Sequence, residues 1–133
     1  MADQTISFEG TFFETLGIRM IEATAQRVIA EMDVRPDLMT VGGRLHGGAL
    51  MSLADSVGAY GAFLALPPGA AGTTTIESKT NFFAGAANGI VRAESVPLHS
   101  GARTSVWQTR ITNEAGRLVS QTVQTQLVLT KQP

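Results

Sequence analysis

The spacing of hydrophobic residues along the chain predicts two helices. Residues 8–16 place Phe8, Phe12, Phe13 and Leu16 at helical spacing, which predicts a short helix near the N-terminus. From residue 47 to residue 66 the pattern is that of a helix of ordinary length, which Pro67-Pro68-Gly69 would end. Between the two, a loop is predicted from residue 36 to residue 44.

Alternating and β-branched residues predict five strands, at residues 27–34, 73–83, 90–96, 103–112 and 117–130. Asn113-Glu114-Ala115-Gly116 suits a hairpin loop with glycine in the left-handed position. In the last strand Val119, Val123, Leu127 and Leu129 share one face, and we expect that face to contact the core. The predicted fold class is α+β, with an antiparallel β-sheet wrapped around one long central helix.

The long predicted helix is unusually rich in small residues, among them Gly58, Ala59, Gly61, Ala62 and Ala65. Glycine costs about 1 kcal/mol relative to alanine in a helix interior, so its presence here needs a reason. We therefore expect another part of the protein to pack very close to this helix.

Length and composition fit one globular domain over residues 1–133, with a core of about residues 12–130. The chain is 44% hydrophobic and 16% charged, as suits an oligomer that covers apolar surface. A net charge of −1 argues against a nucleic-acid-binding protein, which would carry a basic stripe. There is no cysteine, and the N-terminus lacks a basic region followed by an apolar run. We expect a cytoplasmic protein.

Residues 43–55 contain the most informative chemistry. The turn His46-Gly47-Gly48 precedes the predicted long helix, whose first N–H groups have no acceptor within the helix. Such donors, with the positive end of the helix dipole, suit an oxygen that gains negative charge during a reaction. Asp55 follows about two turns later on an otherwise apolar segment. This carboxylate is either a reactive group or a plain helix-surface aspartate, and we favour the first.

Two motifs resemble those of a known enzyme family. Residues 42–48, Gly-Gly-Arg-Leu-His-Gly-Gly, followed by Leu53-Ala54-Asp55, resemble the signature of hotdog-fold acyl-CoA thioesterases. The similarity is to the branch that contains the phenylacetyl-CoA and 4-hydroxybenzoyl-CoA enzymes. Residues 96–108 and 116–119 resemble the C-terminal half of the same enzymes, especially those that act on aryl-CoA thioesters. The likeness extends over about residues 12–130, and two motifs in the right order are more specific than one.

The resemblance implies an activity and an assembly. Asp55 would be the general base or the nucleophile, Gly47 would donate its N–H to the thioester carbonyl, and His46 would shape the turn. The product would be a free acid and coenzyme A, with no cofactor. The resemblance also implies a homodimer with shared active sites, in which Gly47 of one subunit faces Asp55 of the other, and a homotetramer built as a dimer of dimers.

Further residues are candidates for binding the substrate: Thr40, Gly48, Ala59, Thr75, Phe82, Gly101 and Arg103. Thr40 departs from the Asn or Gln that related enzymes often carry, and Phe82 departs from a frequent His, which suggests a more apolar acyl pocket. The turn that holds Gly101 and Arg103 would offer N–H groups and a cation to the phosphates of coenzyme A, although a plain hairpin explains it nearly as well. Arg92 and Lys79 are further cations without a clear assignment.

Two other functions remain open on the sequence. A hotdog dehydratase acting on hydroxyacyl thioesters would use a His for proton transfer, and a non-catalytic acyl-CoA-binding module could share the same fold. We expect no metal, because His46 and His99 have no third ligand at a metal-binding spacing.

Overall fold

The computed structural model describes residues 6–131. Its helices and strands, in chain order, are α1 (Phe12–Leu16), β1 (Arg19–Ala23), β2 (Val28–Asp33), a short 3-10 helix (Pro36–Leu38), β3 (Met39–Thr40), β4 (Arg44–Leu45), α2 (Gly47–Leu64), β5 (Ala70–Phe82), β6 (Ile90–Ser100), β7 (Thr104–Asn113) and β8 (Leu118–Thr130). Residues 1–5, which carry part of the expectation about the N-terminus, lie outside the described residues.

Six strands form an antiparallel sheet in the order β1-β2-β6-β7-β8-β5, and β3 and β4 form a separate two-stranded ribbon. α2 lies across one face of the sheet, so the predicted arrangement of an antiparallel sheet around one long helix is confirmed. The helix contributes five apolar residues to the core, Ala49, Leu50, Leu53, Ala54 and Val57. They pack with inward-facing residues of β2, β6 and β7, including Val28, Met32, Val91 and Ile111.

Two glycines allow α2 to approach β7 and β8. A Cβ atom built on Gly61 would lie 2.4 Å from Cζ3 of Trp107, and one built on Gly58 would lie 2.1 Å from Oε1 of Gln124. Both distances are far below a van der Waals contact, so no larger residue fits without movement of the strand side chains. The expected close packing against the small residues of this helix is confirmed.

The prediction for the buried face of β8 is wrong. Ser120, Thr122, Gln124 and Gln126 face α2 with at most 1% of their surface exposed, whereas Leu127 and Leu129 are 36% and 39% exposed. Val119, one of the four apolar residues that were predicted to contact the core, is fully buried as expected. The polar face can be buried because several of its side chains find hydrogen-bond partners there, as Thr122 does with Thr80 at 2.7 Å.

Several element bounds also differ from the prediction. β1 was not predicted, because its sequence does not alternate regularly between apolar and polar residues. Its pairing with β2 is also irregular between Met20 and Glu22. β6 continues to Ser100 through Pro97 and a bulge at Leu98, a place where a strand tolerates proline. The predicted loop from residue 36 contains the 3-10 helix and the β3-β4 ribbon, and the first helix covers Phe12–Leu16 alone.

Within residues 6–131, no helix has both the length and the apolar character needed to cross a membrane.

We predict that Gly61→Ala lowers the free energy of unfolding by about 1–3 kcal/mol, because the added methyl group overlaps the buried Trp107 ring. Helix propensity alone would favour alanine by about 1 kcal/mol, so the sign of the effect isolates the clash. Urea denaturation of the two proteins measures the difference. Gly72→Ala is a matched control, since its Cβ would meet Leu129 at 3.9 Å, an ordinary contact. A Gly61→Ala protein as stable as the parent would contradict the prediction.

Candidate active site

The entrance to α2 is fixed by a tight turn in the ribbon that precedes it. Gly42 and Gly43 have φ angles of 99° and 77°, a left-handed conformation that other residues adopt at a cost. After the turn, the N–H of Leu45 donates to the carbonyl of Ala86 at 2.8 Å, and that of His46 donates to the carbonyl of Leu38 at 2.9 Å. The two residues that precede the helix are therefore each held by a backbone hydrogen bond.

His46 caps the helix with its side chain. Its Nδ1 accepts a hydrogen bond from the N–H of Gly48 at 2.7 Å, and its carbonyl accepts from the N–H of Ala49 at 2.9 Å. Because Nδ1 is an acceptor, the proton of the neutral ring is on Nε2. A Cβ on Gly48 would lie 2.9 Å from Nδ1, so glycine at this position makes room for the cap.

Gly47 differs from its neighbours at the helix start. Among the described residues no group accepts a hydrogen bond from its N–H, while the next two N–H groups are both engaged by His46. An unsatisfied donor at a helix N-terminus is suited to stabilise negative charge on an oxygen. The ring of Phe82, 49% exposed, lies beside this donor, since a Cβ on Gly47 would be 3.2 Å from its Cζ.

Asp55 is exposed on α2 and is held by the sheet. Its Oδ1 accepts hydrogen bonds from Thr75 Oγ1 at 2.8 Å and from Gln124 Nε2 at 3.1 Å. No donor to Oδ2 lies within the part of the chain that the structure describes. The carboxylate thus has one oxygen fixed by two donors and a second oxygen free for chemistry.

A second set of hydrogen bonds supports Thr75. Gln126 Nε2 donates to Thr75 Oγ1 at 2.6 Å, and Thr73 Oγ1 lies 3.0 Å from Gln126 Oε1. Gln124 and Gln126 were not predicted, because the polar face of β8 was expected to face solvent. The available signal was the series of polar residues at alternate positions of a strand that pairs with the strand of Thr75.

One chain does not bring Gly47 and Asp55 together. They are eight residues apart on a continuous helix, a separation of about 12 Å at a rise of about 1.5 Å per residue. A single thioester carbonyl cannot contact both groups of the same helix.

The remaining candidates lie on three different parts of the fold: α2, the ribbon before it, and the hairpin turn between β6 and β7. Ala59 is one helical turn after it, while exposed Thr40 pairs with Arg44 in the ribbon before α2. The N–H of Gly101 donates to the carbonyl of Thr104 at 2.9 Å and is therefore engaged in the hairpin, contrary to the expectation of a free N–H there. Arg103 is exposed in the same turn, and its carbonyl accepts from Val128.

The two unassigned cations lie on the other face of the sheet. Lys79 donates to Asn81 at 2.8 Å, and Arg92 lies 3.7 Å from the carboxylate of Glu31. Their strand neighbours Thr80 and Ala93 face α2, so alternation directs Lys79 and Arg92 away from the helix. In one chain neither cation lies on the face that holds Asp55.

An open cavity of about 210 Å³ adjoins the start of α2. Its walls combine apolar side chains with the capping residue and a helix hydroxyl, and include Phe12, Leu16, Leu38, Ala49, His46 and Ser52. Nowhere in residues 6–131 do three or more His, Cys, Asp or Glu side chains cluster in a way that could hold a metal ion.

Residues 42–120 match the model of a family described as the Thioesterase superfamily. The chain belongs to this superfamily. The matched segment includes the turn before α2, all of α2 with Gly47 and Asp55, and the strands from β5 to the start of β8. The predicted thioester hydrolase activity is confirmed by this membership.

Individual relatives agree with the family. The chain is 35% identical over 113 residues to 1,4-dihydroxy-2-naphthoyl-CoA hydrolase of Escherichia coli K12, covering 85% of this chain and 77% of the relative. A solved thioesterase from Haemophilus influenzae superposes with a TM-score of 0.87 at 26% identity, covering 92% of this chain and 85% of the other. The predicted hotdog fold is confirmed by this likeness.

A third structure shares the fold. The Escherichia coli PaaI protein, from the phenylacetic acid degradation operon, superposes with a TM-score of 0.79, covering 88% of this chain and 83% of the other. At 23% identity this likeness shows the fold alone.

Proposed function

We propose that this thioesterase hydrolyses the CoA thioester of an aromatic or short- to medium-chain acyl group, giving the free acid and coenzyme A. The observation that carries the proposal is the N–H of Gly47, which has no acceptor among residues 6–131 and begins the helix that also holds Asp55. A free donor at the positive end of a helix and a carboxylate with one unengaged oxygen are the two groups that acyl transfer to water requires.

Gly47 would act on the carbonyl oxygen of the thioester. As the carbonyl carbon is attacked, this oxygen becomes negatively charged, and the N–H with the helix dipole stabilises the charge. The effect is differential, because the donor binds the tetrahedral oxyanion more strongly than the neutral carbonyl.

Asp55 would act at the carbonyl carbon by one of two routes. As a nucleophile it forms a mixed anhydride while the C–S bond breaks and the CoA thiolate leaves; water then cleaves the anhydride and restores the carboxylate. As a general base it removes a proton from the water that attacks the same carbon, and the thiolate leaves and is protonated. Both routes use Oδ2, which has no donor among residues 6–131.

Support for an aromatic acyl group comes from the surroundings of the candidate oxyanion donor. Phe82 lies against Gly47, and the open cavity at the same helix start has Phe12, Leu16 and Leu38 among its lining residues. The Escherichia coli relative is named for the hydrolysis of an aryl-CoA. For the CoA phosphates, we propose the exposed cation Arg103 as a contact.

The separation of about 12 Å between Gly47 and Asp55 supports a site shared by two chains. An edge strand that leaves backbone groups unpaired supports the same arrangement: within the described residues, the thirteen-residue β5 pairs on one side only, with β8. We propose a homodimer in which the two α2 helices run antiparallel, so that Gly47 of one chain faces Asp55 of the other.

Exposed apolar residues on the sheet, Ile76, Leu98, Leu127 and Leu129, would provide a second contact for a homotetramer. A cytoplasmic location belongs to the same proposal, and a sequence without cysteine is compatible with a reducing compartment.

The dehydratase alternative gains no support from the geometry of His46. Its Nδ1 is occupied by the helix cap and is not free to accept a proton from a substrate without releasing the N–H of Gly48. Hydrolysis therefore remains the proposed reaction.

We predict that Asp55→Asn retains the fold and lowers kcat by at least ~10²-fold, because the amide neither attacks nor takes a proton. The substitution keeps the shape of the side chain, and its oxygen still accepts from Thr75. Steady-state kinetics with a CoA thioester and circular dichroism measure the two properties. Asp33→Asn is the control, since that carboxylate is exposed on β2 and paired with Arg19. Unaltered turnover in folded Asp55→Asn would remove Asp55 from the mechanism.

A second prediction concerns the acyl group. We expect a higher kcat/KM for benzoyl-CoA or phenylacetyl-CoA than for palmitoyl-CoA, because the ring of Phe82 lies beside Gly47, where an aryl acyl group can stack on it. A coupled assay of free thiol release with the three substrates makes the comparison. If palmitoyl-CoA is the best of the three, the aromatic assignment is wrong.

The shared site predicts complementation between two inactive variants. Asp55→Ala removes the carboxylate, and Gly47→Pro removes the N–H donor at a helix position where proline is well tolerated. His46 has the extended conformation (φ −62°, ψ 138°) that a residue before proline prefers. After mixing and refolding, a hybrid dimer contains one site with both intact groups, so activity should return to a fraction of the parent value.

Gly47→Ala is the matched control for the proline variant. It adds the same contact with Phe82 but keeps the N–H, and it should remain active. Hybrid formation is verified by mass spectrometry with one variant isotope-labelled. Hybrids that form and stay as inactive as their parents would show that catalysis does not use groups from both chains.

A further inference from the structure

We propose that Gln124 is a positioning residue for Asp55: with Thr75 it immobilises Oδ1 of the carboxylate, and so directs Oδ2 toward the substrate. The inference rests on the proposed catalytic function of Asp55. Gln124 itself lies behind the carboxylate, on β8 beneath α2, and is fully buried.

Both donors converge on the same oxygen. Thr75 Oγ1 lies 2.8 Å and Gln124 Nε2 lies 3.1 Å from Oδ1, and they come from two adjacent strands, β5 and β8. A carboxylate held by two donors at one oxygen loses rotation about its terminal bond, and the position of its other oxygen becomes fixed. Reaction at Oδ2 then needs no reorientation of the side chain.

The direction of each hydrogen bond follows from its neighbours. Gln126 Nε2 donates to Thr75 Oγ1 at 2.6 Å, so the hydroxyl proton of Thr75 is directed to Asp55. The carboxylate of Asp55 can only accept, so the Thr75 hydroxyl must donate to it, and the amide of Gln126 must present Nε2 to Thr75. For Gln124 the carboxylate fixes the orientation, because the reverse placement would bring two oxygens together.

The amide of Gln124 is bonded at its nitrogen end. Its Oε1 is buried with no hydrogen-bond partner within residues 6–131, an arrangement that folded proteins usually avoid. The same oxygen lies against Gly58, where any Cβ would displace it. The side chain of Gln124 therefore makes one hydrogen bond among these residues, the one that its Nε2 donates to Asp55.

The test is Gln124→Met, which keeps the length of the side chain and removes the donor. We expect kcat to fall about tenfold or more, as for loss of one hydrogen bond to a charged group. KM should stay within about twofold, because the side chain does not reach the substrate. The urea midpoint should change little, because the loss of the hydrogen bond to Asp55 is offset by the removal of the unsatisfied oxygen. A purely structural residue would instead show a lower midpoint.

Two comparisons make the result specific. Gln121→Met changes the same residue type on the outer face of the same strand, where Gln121 contacts Arg110, and it should leave kcat unchanged. In an Asp55→Asn background, Gln124→Met should cause no further loss, since the residue acts through Asp55. If Gln124→Met does not fold, the shorter Gln124→Leu is measured in the same way.

The outcomes separate this inference from the function on which it rests. Full kcat in Gln124→Met, together with an inactive Asp55→Asn, overturns the inference and leaves the proposed function intact. A raised KM at constant kcat, or a parallel fall in kcat and midpoint, also overturns it. An active Asp55→Asn protein overturns the proposed function first, whatever Gln124→Met does.

Discussion

The close approach of α2 to β7 and β8 at Gly58 and Gly61 sets the position of the groups around Asp55. Because these glycines leave no Cβ between helix and sheet, Trp107 and Gln124 lie directly against the helix backbone. With larger residues the helix would stand farther from the strands, and Asp55 would no longer reach Thr75 and Gln124. Glycine lowers the intrinsic stability of the helix, but the close packing against the sheet that it allows contributes more stability than is lost.

The start of α2 shows a similar division of roles among neighbouring groups. His46 satisfies the N–H groups of Gly48 and Ala49, one with its ring and the other with its carbonyl. The N–H of Gly47 is left without an acceptor in residues 6–131, at the end of the helix where the dipole is positive. A cap that satisfied all three donors would give a more stable helix end and a poorer site for an oxyanion.

The sequence predicted α2, the five main strands, the glycine-ended hairpin at Gly116 and the positions of Gly47 and Asp55. These features depend on local periodicity, on the residues of the turns and on a short motif, all of which can be recognised in the sequence. The buried face of β8 was assigned wrongly because alternation reveals two faces without telling which one is covered. Gln124 could not be found for the same reason: its role arises from pairing with β5 and from Gly58, contacts that span up to 69 residues.

The pairing of β5 with β8 has a consequence for the way this protein is made. The hydrogen bonds around Asp55 join residues 55, 75, 124 and 126, so during synthesis α2 and β5 leave the ribosome long before their partners on β8. Until then, β5 has no strand with which to form backbone hydrogen bonds. Non-local pairing of this kind is slow compared with helix formation. From the synthesis of β5 until that of β8, the nascent chain therefore carries an apolar helix and an unpaired strand, features that favour aggregation.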